Sequence, residues 1–144
     1  MEEIPLHPQT HLAIDRRLCG EPLEIGEGSS AVAWTALPEM AADERGLVHG
    51  GFVFGLADYA AMLAVNHPNV VLGSAEVRFL KPVVVGERLV ARATLETSEE
   101  SDGRRSRVRV EVKRGEETVM SGAFRCFTLE RHVLDAALDA GDRA

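Results

Sequence analysis

Asp58 is the only charged side chain between Gly50 and Asn66, in a run that otherwise reads as a buried helix. An ionised carboxylate among apolar neighbours costs several kcal/mol or has its pKa driven upward, so such a residue is paired or does chemistry. A carboxylate raised toward neutrality suits a general base. The plain structural alternative is an acid satisfied by backbone N–H groups or by the Tyr59 hydroxyl of a second chain. The same run opens at His49-Gly50-Gly51. Backbone N–H groups at a helix start lack intrahelical acceptors and can point at an anion, and the two glycines permit close approach. Gly50 and Asp58 are eight residues apart, about 12 Å along a helix axis, too far to act on one carbonyl together. Two such helices packed antiparallel about a twofold axis solve this, each bringing its Asp58 to the Gly50-Gly51 end of the other.

The elements that must hold this helix follow from the flanking patterns. Leu12, Ala13, Ile14 and Leu18 predict a short helix over 10–18, closed by Gly20 and Pro22. Residues 23–25 and 30–37 read as strands around Gly26-Glu27-Gly28, as a hairpin or one bent strand. Pro38 opens a helical turn, residues 43–46 a polar loop, and Pro68 ends the long helix near Asn66. Beyond Asn69 the pattern turns to strands at 70–72, 76–79, 89–95, 106–112 and 118–129, with turns at Lys81-Pro82, Gly86, Asp102-Gly103 and Gly115. Residues 107–113 alternate strictly, so one face of that strand is polar, and the short turns favour a meander. Residues 132–140 read as a terminal helix or a tail. One apolar helix beside about five long strands implies an α+β domain in which an antiparallel sheet wraps the helix, with Gly55, Ala57, Ala60, Ala61 and Ala64 allowing close approach. Open sheet edges then invite pairing between subunits.

The chain has 144 residues, 45% of them hydrophobic and 27% charged, which fits one domain over 1–144 with a core at about 22–130. A net charge of -7 argues against direct nucleic-acid binding. Cys19 and Cys126 lack metal-site or CxxC spacing and read as buried thiols of a reducing cytoplasm. The start lacks the basic and apolar regions of a signal peptide, and the apolar helix is too short for a bilayer, so no membrane association is expected.

His49-Gly50-Gly51 with an acid nine residues after the histidine, followed by Val77-Arg78-Phe79-Leu80-Lys81-Pro82 and Gly86-Glu87, resembles the hotdog-fold acyl-CoA thioesterases of the PaaI-like group. The resemblance covers roughly residues 25–129. It extends to an archaeal and bacterial branch carrying GLVHGG and ADYAAMLAVN. It implies a hotdog fold whose sheet continues across a homodimer, often a dimer of dimers, and hydrolysis of an acyl or aromatic-acyl thioester to free acid and coenzyme A without metal or cofactor. In that reading Gly50 N–H stabilises the oxyanion and Asp58 is nucleophile or general base. His49 orients the loop or hydrogen-bonds the thioester, and Gly51 lies beside the substrate. Many family members have asparagine six residues before the histidine; here the position is Asp43. A second carboxylate repels an anionic intermediate unless it is protonated, salt-bridged to a residue such as Arg45, or turned outward. Ser74 is the nearest match to the family's helper hydroxyl, and Arg78 and Lys81 are candidates for coenzyme A phosphates. The alternative is a non-catalytic hotdog protein that binds acyl-CoA or another metabolite, as hotdog domains do in lipid-responsive repressors. A dehydratase of the same fold ranks below both, because those enzymes usually place their histidine differently.

Overall fold

The computed structural model describes residues 6–98 and 104–135. Six strands form one antiparallel sheet: β1 (Glu21–Gly26), β2 (Ser29–Thr35), β3 (Val70–Phe79), β4 (Arg88–Ser98), β5 (Arg105–Arg114) and β6 (Glu117–Thr128), in the order β1-β2-β4-β5-β6-β3. This sheet wraps the helix α2 (Gly50–Val65), and a short helix α1 (Arg16–Cys19) packs beside it. The result is the hotdog fold, an α+β architecture. The alternation of β5 sends Val108, Val110 and Val112 inward to full burial and Arg105, Arg107 and Arg109 outward. Leu89, Ala91 and Ala93 of β4 and Met120, Phe124 and Cys126 of β6 complete the face that receives the helix. Ala57, Ala60, Ala61 and Ala64 are buried, so the sheet does close on side chains of minimal size. The Ser30 hydroxyl, itself buried, donates to the Ala60 carbonyl at 2.6 Å and pins β2 to the helix. Gly55 does not share that role: a Cβ there would meet nothing within 4 Å, so it lies on the open side.

Some elements differ from the sequence expectation. The predicted helix over 10–18 is confined to Arg16–Cys19. Residues 7–15 run as an irregular strap in which His11 adopts φ 56, a conformation that interrupts a helix. Asn66 explains what the strap does. It ends α2 in the left-handed conformation, its Oδ1 accepts from Gln9 N–H at 2.8 Å, and its Nδ2 donates to the His7 carbonyl at 3.0 Å. The His11 ring then lies against Tyr59, which is buried in its own chain and not presented to a second one. Residues 70–72 and 76–79 are not two strands but one, β3, with a bulge between Leu72 and Ser74. The meander holds for β4-β5-β6, whereas β3 crosses to the far side of the sheet and pairs with β6. Cys126 is buried as expected; Cys19 is only half-buried, and both are free thiols. The Asp102-Gly103 turn and residues 136–140 fall outside the described residues.

The two sheet edges are unlike. β1 is six residues long, contains Pro22 without an N–H, and shifts register between Pro22 and Glu24. Each of these blunts an edge against further pairing. β3 is ten residues long with no proline. No helix among the described residues is long and apolar enough to cross a membrane.

Candidate active site

The start of α2 is set by the loop before it. Asp43 Oδ1 accepts from the backbone N–H of Arg45 at 3.0 Å and of Leu47 at 3.1 Å, and Gly46 turns the chain at φ 80. Bridges from Ala41 to Val48 and from Leu47 to Val84 tie the loop down, and His49 N–H donates to the Met40 carbonyl at 2.9 Å. Asp43 is thus exposed and turned into its own loop, bonded to the Arg45 backbone and not to its guanidinium. An asparagine Oδ1 can accept the same two bonds. Asp43→Asn is therefore expected to hold stability within about 0.5 kcal/mol. Asp43→Ala, which leaves both donors without their acceptor, should lose about 1–2 kcal/mol. Urea unfolding of the two variants beside the parent protein checks this.

His49 caps the helix. Its Nδ1 accepts from Gly51 N–H at 2.8 Å. An accepting nitrogen carries no proton, so this bond assigns the neutral imidazole proton to Nε2, which remains a donor. Gly51 is required for the arrangement, because a Cβ there would lie 2.9 Å from Nδ1. Its N–H is consumed by the cap, and Phe52 N–H is consumed by the His49 carbonyl. Gly50 N–H has no acceptor among the described residues. The ring of Phe79, 54% exposed, stands 3.5 Å from the position of a Cβ on Gly50 and forms an apolar wall beside that free donor.

Asp58 lies two turns along the helix, half-buried, with its Oδ1 buried and without a hydrogen-bond partner among the described residues. The backbone N–H groups of the sequence-level alternative do not satisfy this oxygen. Burial drives its pKa up to about 6. Burial, and then the field of Asp58, also pushes the Cys126 thiol of β6 up to about 12. Gly51, Gly55 and Asp58 succeed one another at helical spacing, so the carboxylate stands beside a strip of helix without side chains.

The structure therefore brings His49, Gly50, Gly51 and Phe79 together and leaves Asp58 apart on the open face. In the sequence Phe79 enters only as one residue of the Val77-Arg78-Phe79-Leu80-Lys81-Pro82 motif, with no role of its own assigned to it. Ser74 and Arg78 pair with Arg125 and Ser121 on the face of the sheet away from α2, so they do not approach Asp58 of the same chain. Lys81 faces Glu117 at 4.0 Å. The lone Trp34 is buried packing, with its Nε1 unpartnered among the described residues.

Residues 45–121 match the thioesterase superfamily. The chain belongs to that superfamily. Within it, the fold is that of PaaI-like hotdog proteins. A structure of an uncharacterized protein from Pyrococcus horikoshii shares 53% identity and a TM-score of 0.88, covering 92% of this chain and 99% of that one. An asparagine-to-aspartate mutant of the phenylacetic acid degradation protein PaaI from Thermus thermophilus shares 30% identity and a TM-score of 0.70, covering 78% of this chain and 95% of that one. Among curated relatives, methylthioribose-1-phosphate isomerase of Aquifex aeolicus is 48% identical over 116 residues, 81% of this chain but 25% of that protein. Transcription factor FapR of Exiguobacterium sibiricum is 31% identical over 111 residues, 76% of this chain and 58% of that protein. The superfamily chain thus spans only part of these curated relatives, whose named activities belong to the whole proteins.

Proposed function

We propose that the protein is a cytoplasmic acyl-CoA thioesterase whose site is completed by a second copy of the chain. The observation that carries this is the complementary pair of unsatisfied groups on one helix: a free Gly50 N–H at its start and an unpartnered buried Asp58 oxygen in its middle. Antiparallel packing of two such helices through the bare Gly51-Gly55 strip sets each beside the other's counterpart.

The chemistry follows from the groups. Asp58 takes a proton from water, whose oxygen bonds to the thioester carbon as the carbonyl π pair moves onto oxygen. That oxyanion receives the Gly50 N–H and the His49 Nε2–H of the partner subunit. When the tetrahedral intermediate collapses, the C–S bond breaks and the coenzyme A thiolate recovers the proton from Asp58. A carboxylate with pKa near 6 is matched to accepting and returning a proton near neutral pH, which favours the base role over direct nucleophilic attack. As proposed, the reaction runs on these groups alone, without metal or cofactor. Asp43, spent on its loop, leaves the oxyanion unopposed.

Steady-state hydrolysis of a panel of aliphatic and aromatic acyl-CoA thioesters, read by free thiol release, tests the assignment. Turnover of at least one class is expected; no turnover across the panel removes it. The likeness to FapR favours one second reading, a hotdog protein that holds an acyl-CoA or another metabolite without cleaving it. Tight acyl-CoA binding by calorimetry with no thiol release would establish that reading.

A further inference from the structure

The outer face of the sheet, turned away from α2, holds an open depression of about 850 Å³ between β4 and β5. We propose that it is a second ligand site, which takes the phosphoryl group of a small phosphate monoester between Arg88, Arg92 and Lys113. It lies across the sheet from Gly50 and Asp58 and does not depend on thioester chemistry.

The alternation of the strands builds its wall. Leu89, Ala91 and Ala93 are buried beneath the helix, so Arg88, Val90, Arg92 and Thr94 point the other way. Val112 is likewise inward, so Lys113 and Glu111 stand outward, opposite Val90 and Arg92. Lys113 then has Arg88 and Arg92 as its diagonal neighbours, about 7–8 Å away across the strand pair. Three cations thus surround one apolar side chain, Val90, in a chain whose net charge is -7.

These cations are not neutralised in place. Arg88 and the half-buried Lys113 have no ion-pair partner among the described residues. Arg92 holds Glu24 at 2.9 Å, but a guanidinium has five N–H donors and can serve a second acceptor. Like charges at this spacing repel one another unless an anion stands among them. A phosphoryl group brings about two negative charges and three acceptor oxygens, which matches three convergent cationic donors.

The size and the remaining wall define the rest of the ligand. A volume of about 850 Å³ lies in the range of small-molecule sites, so it has room for a whole molecule and not only a lone ion. Thr94, Glu111 and Glu116 line it beyond the cations, and neither carboxylate has an ion-pair partner among the described residues. Carboxylates accept hydrogen bonds from hydroxyl groups and repel a second anionic group. The ligand class is therefore a sugar or polyol phosphate. Gly115 adds no side chain at the rim, and a Cβ there would meet nothing within 4 Å.

Calorimetric titration of the full chain with ribose 5-phosphate, inorganic phosphate and coenzyme A, at constant ionic strength, tests the site. Ribose 5-phosphate is expected to bind once per chain with a Kd below about 1 mM. Lys113→Gln and Arg88→Gln are each expected to raise that Kd about tenfold or more, since each removes a charge-assisted hydrogen bond. Glu111→Gln should weaken ribose 5-phosphate and tighten inorganic phosphate. Arg109→Gln, which leaves the three cations in place, should change either Kd less than about twofold. No saturable binding of ribose 5-phosphate, or binding indifferent to Lys113→Gln and Arg88→Gln, overturns the site. Binding of coenzyme A alone, unmoved by both substitutions, also overturns it, because that phosphate then sits elsewhere. Inorganic phosphate that binds as tightly as the ester overturns the ligand class. Circular dichroism confirms folding, and the exposed Arg88 keeps the test intact if the half-buried Lys113 variant is unstable.

Discussion

Replacing Asp58 with asparagine is expected to lower kcat/KM for thioester hydrolysis by about 10²–10⁴, the range that a positioned general base supplies. Asparagine keeps the shape and loses the proton acceptor. The parent enzyme should show kcat/KM rising through a pKa near 6 and level above it, because the carboxylate must be ionised to act. An Asp58→Asn enzyme with undiminished turnover, or a profile flat from pH 5 to 7, would sink the base role. Stability should move the other way. The folded pKa near 6 lies above the ordinary 3.8, so the folded chain holds the proton more tightly than the unfolded chain does. Stability therefore falls as pH rises from about 4 to 6, and above that window the ionised group costs up to about 3 kcal/mol in an unpaired subunit. Asp58→Asn removes that cost, so a less active variant that melts higher is the expected signature.

Gly50→Pro should lower kcat by about 10²–10³ with little loss of fold, the cost of deleting one oxyanion donor. Proline is accepted at the first position of a helix, where its missing N–H is not needed by the ladder. It also demands an extended residue before it, and His49 already has φ -63 and ψ 130. The added Cβ meets the Phe79 ring at 3.5 Å, an ordinary contact. Gly50→Ala makes the same contact yet keeps the N–H, so it should lose far less. Comparable losses in the two variants would assign the effect to crowding at Phe79 and remove the donor role. Thiol release kinetics on one substrate, with melting curves, separate the cases.

The groups of the site were readable where local pattern carried them. A lone acid in an apolar helix and a histidine followed by two glycines are local features, and the helix from Gly50 to Val65 formed where its sequence placed it. Ser74 shows where such reading stops. Only the family likeness offered it as a helper hydroxyl, and the bulge at Gly73 sets the alternation of β3 so that Ala75 and Val77 point to the core and Ser74 points out. A bulge is set by the partner strand, which local sequence does not reveal. The crossing of β3 to β6 was hidden for the same reason, since pairing at long range leaves no periodicity. His11 and its strap followed a helical pattern until contacts with Asn66 and Tyr59 overrode it. Asp43 was a chemical puzzle only while its loop was unknown; two backbone donors account for it.

The unequal ends of the sheet bear on how many molecules can join. A sheet with two receptive borders adds copies at both, and its assemblies lengthen with concentration until they leave solution. Here the proline and the register slip in β1 blunt one border, which leaves β3 as the sheet border open to another strand among the described residues. With one receptive border, edge-to-edge association would end at a count of two, and any larger particle would have to be built through other faces of the molecule. Raising the protein concentration should fill pairs and then change nothing further along this axis.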